Sequence, residues 1–302
     1  MKILLLSPNQ IHRYNWGHQL FRNEIGRQHD VLYYGEIFPK FNKNLNVKQI
    51  MKQMKFKPDI IMTYGWRYSK NFEGLGEIKN IPKVHITVDY GRPKGIPPQN
   101  EFFKKNKYDL NFAISKNAYR LLLKNKVCDK TEILPFSVDT NIYKCLNLKK
   151  EDIVLAAFTS RKDIYPNRTK ARQVLKNAGF RLMSKRVVQR NLIRWINRSK
   201  ITLTSNNIFR SLSLRYTETL ACGGFLLANE PEDLELLGFK DGVHLVIYKD
   251  MNDLKDKVEY YMKHNKERKK IETQGMKFVR KNHSCKVRVK QMTKIIKEEL
   301  NV

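Results

Sequence analysis

Residues 215–224 read RYTETLACGG, and the four that follow, 225–228, are the apolar FLLA. Arg215 and Glu218 stand three apart, so on a helix they are neighbours on one face. Gly223 or Gly224 supplies the left-handed residue that ends a helix without steric penalty. A short apolar run directly after such a stop reads as a strand buried on both faces, which is the habit of parallel sheets. Helix, glycine stop and buried strand together make half of a parallel α/β unit.

The same rhythm extends outward in both directions. Toward the C-terminus, VHLVIYK (243–249) is a further strand, and residues 253–302 are mostly helical. Upstream, IVLAAF (153–158) is a first strand, PNRTKARQVLKNAGF (166–180) a helix closed by Gly179, in which Asn167 is placed to cap a helical run beginning at Arg168, SKRVVQRNLIRWINRSK (184–200) a second helix, and ITLTS (201–205) a strand. An independent series precedes it: KILLL (2–6), VLYYG (31–35), a helix, turn and strand over 47–66, KVHITVDYG (83–91) and YDLNFAIS (108–115). Strands alternating with helices imply parallel sheets covered on both faces. Between the series, residues 135–150 have a proline, mixed polarity and no period. The expectation is two Rossmann-like doubly wound domains facing across a ligand cleft: residues 1–140, 141–285, and a C-terminal helix at 286–302 that packs back on the first domain.

The 302 residues include 41% hydrophobic ones, enough for real cores. The 59 Lys and Arg outnumber 29 Asp and Glu, a net charge of +30 that predicts attraction to phosphate-rich partners. That charge is local: 161–200 holds one acidic residue, Asp163, whereas 201–250 is net acidic. MKILLLSPNQ is too short in apolar residues for a signal-peptide core, and no run approaches the ~20 residues that span a bilayer. Cys128, Cys145, Cys222 and Cys285 are scattered and form no metal-binding pair. The reading is a cytoplasmic protein, free to bind a membrane surface peripherally.

The run from INRSKITLT through SLSLRYTETLACGGFLLANEPEDLELLGFKDGVHLVIYK to the NHS at 282–284 resembles the C-terminal domain of glycosyltransferases of the GT-B fold, in their group 1, spore-maturation-protein-like branch. The resemblance spans about residues 190–285, is fainter over 133–180, and fades in the N-terminal domain to the βα rhythm alone. It implies an enzyme that moves a sugar from a nucleotide-sugar donor, a UDP-sugar foremost, as cosubstrate. It implies that Glu218 accepts hydrogen bonds from the donor ribose and that Gly223 and Gly224 let the chain turn close to the nucleotide. Arg215 would touch the diphosphate or hold Glu218 in its rotamer. The position seven residues before Glu218 is Ser211, so the paired-glutamate spacing of some GT-B enzymes is absent.

After IVLAAF, the residues Arg161, Lys162 and Arg168 supply cations at the carboxyl end of a strand, where a diphosphate would need them. The Tyr165-Pro166-Asn167-Arg168 run resembles the family's Tyr-Pro-x-Arg segment. There is no Asp-x-Asp pair to hold a divalent ion. Cationic side chains and helix termini can neutralise a leaving diphosphate instead, so the expected chemistry is metal-independent.

A base for the acceptor hydroxyl belongs on the other domain. Asp89, ending VHITVD, is the first candidate, and His12 or His18 in the first βα loop the others; His85 reads as an interior residue of its strand. Tyr64, Trp66 and Arg67 offer an aromatic and cationic wall. Arg186, Arg190, Arg194 and Arg198 recur every four residues and form one helical stripe. Such a stripe suits DNA phosphates or membrane head groups, so the acceptor is either DNA or a membrane-associated glycan. The alternative is a non-catalytic protein that keeps the fold and binds a nucleotide sugar or nucleic acid. An oxidoreductase is excluded, because no Gly-x-Gly-x-x-Gly turn follows KILLL or IVLAAF.

Overall fold

The computed structural model describes residues 1–10, 16–156 and 163–302. The chain divides into two compact units, Met1–Pro135 with Arg288–Val302, and Phe136–Val287. The division thus falls five residues before the sequence-based boundary, and the last fifteen residues group with the first unit.

The first unit holds strands β1 (Lys2–Leu6), β2 (Asp30–Tyr34), β3 (Ile60–Tyr64), β4 (Lys83–Thr87), β5 (Leu110–Ala113) and β6 (Thr131–Ile133). They form one sheet in the order β2-β1-β3-β4-β5-β6, every pair parallel. Helices α1 (Trp16–Gln28), α2 (Val47–Gln53), α3 (Trp66–Ser69), α4 (Ile96–Asn106) and α5 (Lys116–Lys124) make the crossovers. Every residue of β3 and β4 is buried, which explains why these strands read as continuous rather than alternating runs.

The second unit holds β7 (Glu151–Leu155), β8 (Leu182–Met183), β9 (Ser199–Thr204), β10 (Leu226–Asn229) and β11 (Val246–Tyr248), in the parallel order β11-β10-β9-β7-β8. Its helices are α6 (Pro166–Asn177), α7 (Gln189–Arg198), α8 (Leu214–Ala221), α9 (Met251–Lys263) and α10 (Asn265–Asn282), and α11 (Cys285–Leu300) closes the chain. β6 and β8, of three and two residues, are too short to show a period and escaped the sequence reading. Strand order reverses beside β1 in the first sheet and beside β7 in the second, the hallmark of doubly wound sheets.

Two local expectations are corrected. The helix read over 184–200 begins only at Gln189, so Arg186 precedes it and the stripe on α7 is Arg190, Arg194 and Arg198. Pro166, not Arg168, opens α6: its fixed φ suits the first helical turn, and Tyr165 rather than Asn167 takes the cap position. Among the described residues, no helix is long and apolar enough to cross a membrane.

A row of polar residues crosses the first sheet in register, Thr63 beside His85 beside Asn111 beside Thr131, and all four are buried. The His85 Nδ1 lies 2.6 Å from the Thr63 hydroxyl, which is 2.9 Å from that of Tyr108. Phe102, Phe103 and Tyr108 close around the imidazole with centroids 5.1 to 5.3 Å away. His85 is therefore an interior residue, and burial pulls its pKa down to about 3. The unfolded chain takes up this proton near pH 6.5 and the folded chain only near pH 3, so between those values the unfolded state binds more protons. Stability contributed by neutral His85 is complete above pH 6.5 and is lost as the pH falls toward 3. In urea titrations, His85→Gln should flatten the fall of unfolding free energy over that window by up to about 1.4 kcal/mol per pH unit.

Candidate functional site

In a parallel sheet the carboxyl ends of all strands lie at one edge, and the loops leaving them gather there. In the second unit the loop from β9 to α8 is stiffened by its own side chains. The Asn206 backbone N–H donates to the Asn229 side-chain carbonyl at 2.8 Å, and the Asn229 amide returns a bond of 2.7 Å to Asn206. Asn207 accepts from the backbone N–H groups of Phe209 and Ser211, and Asp233 from that of Leu212. The buried Tyr216 hydroxyl donates to the Asn229 carbonyl at 2.8 Å.

Arg168, in the first turn of α6, is only 5% exposed. Its guanidinium lies 3.4 Å from the centroid of the Tyr165 ring and donates to the Ser205 carbonyl at 3.3 Å. Burial first, with the nearby Arg215 and Arg172 charges adding to it, brings its pKa down to about 10. Arg168 remains a cation at neutral pH, in a place where other cations make that costly. Arg172 donates twice to the Ala156 carbonyl just after β7, at 3.1 and 2.7 Å. The hydroxyls of Ser205 and Ser213 are buried and make no hydrogen bond, although Ser213 holds the cap position of α8, where a serine ordinarily bonds its own helix.

Glu218 projects from the middle of α8 and is 7% exposed. The Tyr143 hydroxyl donates to its Oε1 at 2.8 Å, and the Arg215 guanidinium lies 3.6 Å from Oε2, an ion pair longer than a hydrogen bond. The pair read from RYTETLACGG thus exists, with a third member the sequence did not disclose. Tyr143 is 75 positions from Glu218, and nothing local in its segment points to that carboxylate.

Gly223 and Gly224 lie past the carboxyl end of α8, and the protein itself accounts for both. Gly223 has φ +68° and ends the helix, its N–H bonding the Leu220 carbonyl while that of Gly224 bonds Thr219. A Cβ on Gly224 would stand 2.7 Å from an Ile196 methyl and 2.9 Å from a Thr219 methyl. Their placement reflects helix termination and packing against α7. Arg161 and Lys162 lie outside the described residues.

In the first unit, Asp89 follows β4 with φ 61°, a conformation aspartate tolerates better than most residues, and its exposed carboxylate is 3.9 Å from Arg92. His18 is buried, with Nδ1 2.7 Å from the Tyr64 hydroxyl. Burial, aided by the Arg22 charge, lowers its pKa to about 3, so the imidazole is neutral. Arg22 is itself 1% exposed: it donates to Ser7, Gln10 and Gln19 and sits 5.1 Å over the Tyr64 ring. His18 and Tyr64 therefore belong to one buried polar cluster, while Asp89 stands apart and in water. Trp66 is partly buried, with the Arg67 and Lys70 cations each 5.8 Å from its ring. His12 lies outside the described residues. Among the described residues, no three His, Cys, Asp or Glu side chains cluster so as to hold a metal ion.

Two all-parallel doubly wound units in one chain define the GT-B fold. Residues 161–294 match the family model described as "Glycosyl transferase-like". The fold is similar over nearly its whole length to a glycosyltransferase from Rickettsia africae ESF-5, at 14% identity and a TM-score of 0.68, covering 99% of this chain and 98% of that one. It is similar to HepE of Anabaena in complex with UDP-glucose at 12% identity and a TM-score of 0.66, covering 99% and 100%. A third is an alpha-glucosyltransferase in complex with UDP-glucose and DNA containing an abasic site, at 12% identity and a TM-score of 0.64, covering 98% of each chain. None of the curated proteins matches the chain by sequence.

If Gly224 is there for packing, Gly224→Ala should destabilise the second unit by roughly 1–3 kcal/mol. A thermal melt reads this directly, and an unchanged midpoint would return the glycine to a ligand-facing role.

Proposed function

We propose that the protein is a glycosyltransferase of the group 1, spore-maturation-protein-like branch that moves a sugar from a UDP-sugar to an acceptor hydroxyl. The carrying observation is the buried Arg168 cation, which the Arg215 charge makes less favourable, held against Ser205, whose hydroxyl is unbonded like that of Ser213 at the cap of α8. A diphosphate would relieve that cost, fill those hydrogen bonds and meet the N-terminus of α8. The same cations would stabilise the charge that develops on the leaving diphosphate, with no metal ion needed. Glu218 would accept from the ribose, and Arg161 and Lys162 would add to the phosphate contacts. UDP-glucose and UDP stand in the names of several neighbours in fold, which supports uridine as the base.

On the acceptor side Asp89 is the base we favour, because its carboxylate is open to water whereas His18 is enclosed and already engaged by Tyr64. His12 is the remaining candidate. Four cysteines, none of them in a disulfide, suit a reducing cytoplasm. The acceptor itself we read as anionic. Arg190 and Arg194 of α7 are exposed, as are Lys185 and Arg186 just before it. Arg198 is withdrawn from this face by Glu151, which accepts from its Nε at 2.7 Å. No large hydrophobic residue is exposed between 163 and 198, so this face offers charge with nothing to insert into a bilayer. That favours the phosphates of DNA over a membrane-associated glycan, and one neighbour in fold is named as a complex with DNA.

Calorimetry with UDP, GDP and ADP, followed by the UDP-sugars, tests the donor. UDP should bind, Glu218→Ala should weaken it about tenfold or more, and Arg168→Ala should do the same, with a thermal melt of each variant checking that it folds. Failure of all three nucleotides to bind would overturn the reading. Binding without transfer or hydrolysis of any sugar would favour a non-catalytic nucleotide-sugar protein. Asp89→Asn should lower turnover far more than donor affinity.

Reversing Arg190 and Arg194 to glutamate should weaken duplex DNA binding and reduce the slope of log K against log salt by about two. Loss of binding to anionic vesicles, with DNA affinity unchanged, would point to the membrane instead.

A further inference from the structure

Glu218 is held from the side by a segment that lies far from it in sequence. Residues 139–143 form a tight turn organised by Asp139, whose carboxylate accepts from the N–H groups of Asn141 at 2.9 Å and Ile142 at 3.3 Å. The Asp139 backbone carbonyl accepts from the Tyr143 N–H at 2.8 Å. Beyond the tyrosine, Asn197 of α7 clamps the chain, accepting from the Leu146 N–H at 2.6 Å and donating to the Lys144 carbonyl at 3.1 Å. Tyr143 is thus pinned on both sides, is 2% exposed, and delivers its hydroxyl to one oxygen of Glu218. Burial, and then the Glu218 charge, push the Tyr143 phenol well above its usual range, so the hydroxyl keeps its proton and only donates here.

This leaves the carboxylate asymmetric. Oε1 is committed to Tyr143, whereas Oε2 faces Arg215 at 3.6 Å and keeps its capacity to accept. A glutamate on a helix otherwise samples several rotamers, and ordering it when a ligand arrives would cost affinity.

We propose that Tyr143 is a positioning residue that fixes the orientation of Glu218 and thereby sets the preference of the donor site for a ribose over a deoxyribose nucleotide. The inference rests on the donor-site reading above. A carboxylate oriented before binding rewards a sugar hydroxyl that meets it, and a nucleotide lacking that hydroxyl leaves the buried acceptor unfilled. When Glu218 is free to turn away, a missing hydroxyl costs less. Selectivity therefore depends on the tyrosine hydroxyl, while the bulk of the binding energy, on the phosphate and the base, does not.

The test is calorimetry of UDP, 2′-deoxy-UDP and 3′-deoxy-UDP with wild type, Tyr143→Phe and Glu218→Gln. Phenylalanine keeps the ring and its packing, and a thermal melt of each variant checks the fold. Wild type should prefer UDP over at least one deoxy analogue by about tenfold, the scale of one hydrogen bond to a charged group. Tyr143→Phe should cut that preference at least about threefold, while the affinity for the deoxy analogue changes less than about twofold. Equal weakening of all three nucleotides, with the preference intact, would make Tyr143 a merely structural residue and overturn the inference. Should Glu218→Gln abolish the preference and Tyr143→Phe leave it untouched, the donor-site reading stands and the positioning role alone falls. A wild type with no preference, or a Glu218→Gln variant that keeps it, would remove Glu218 from the ribose and both readings with it.

Discussion

Every strand pair in both sheets is parallel, and this constraint governs the rest of the structure. A parallel strand cannot return through a tight turn: each must be followed by a crossover, and each crossover starts at the same edge of the sheet. The loop after β9, the first turn of α6 and the start of α8 meet in the second unit for that reason. Chemistry accumulates at that edge because the helices begin there, with their unsatisfied N–H groups pointing outward.

The two units resolve the burial of charge in different ways. In the first, Arg22 is enclosed by hydroxyl and amide acceptors, and its neighbour His18 stays neutral, so a single cation is diluted over a polar cage. In the second, Arg168 is buried with the Arg215 charge adding to the cost, and Glu218 is the carboxylate placed beside Arg215. A cage of neutral acceptors is complete by itself. A buried cation made less favourable by its neighbours is not complete in that sense, and an added anion would offset the cost.

Much of both sheets was legible in the chain. The period of the apolar runs located β1, β3, β9 and β10 to within two residues, because strands buried on both faces must be apolar throughout. Arg215 and Glu218 were legible as a pair because helical spacing alone makes them neighbours. The ends of elements were less so: α7 begins five residues later than the helix read over 184–200, since a cationic period continues as readily through an extended segment as through a helix. His85 and Asp89 were told apart in sequence only by position, one inside its strand and the other at its end. In the structure one is sealed under Phe102, Phe103 and Tyr108 and the other stands in water.

The sequence by itself determined the class of fold, the parallel sheets and the helix that carries Glu218, because these depend on local period and on the stereochemistry of glycine and proline. Only the tertiary structure decided what Glu218 touches. The tyrosine that holds it is contributed from 75 positions away, and Arg168, whose charge Arg215 makes less favourable, comes from a different crossover. Contacts of that kind are set by how the helices and loops settle on the sheet, a property of the packed unit that no window of the chain contains. The surroundings of Gly224 were set in the same way, by an isoleucine methyl on α7 that a Cβ there would meet at 2.7 Å.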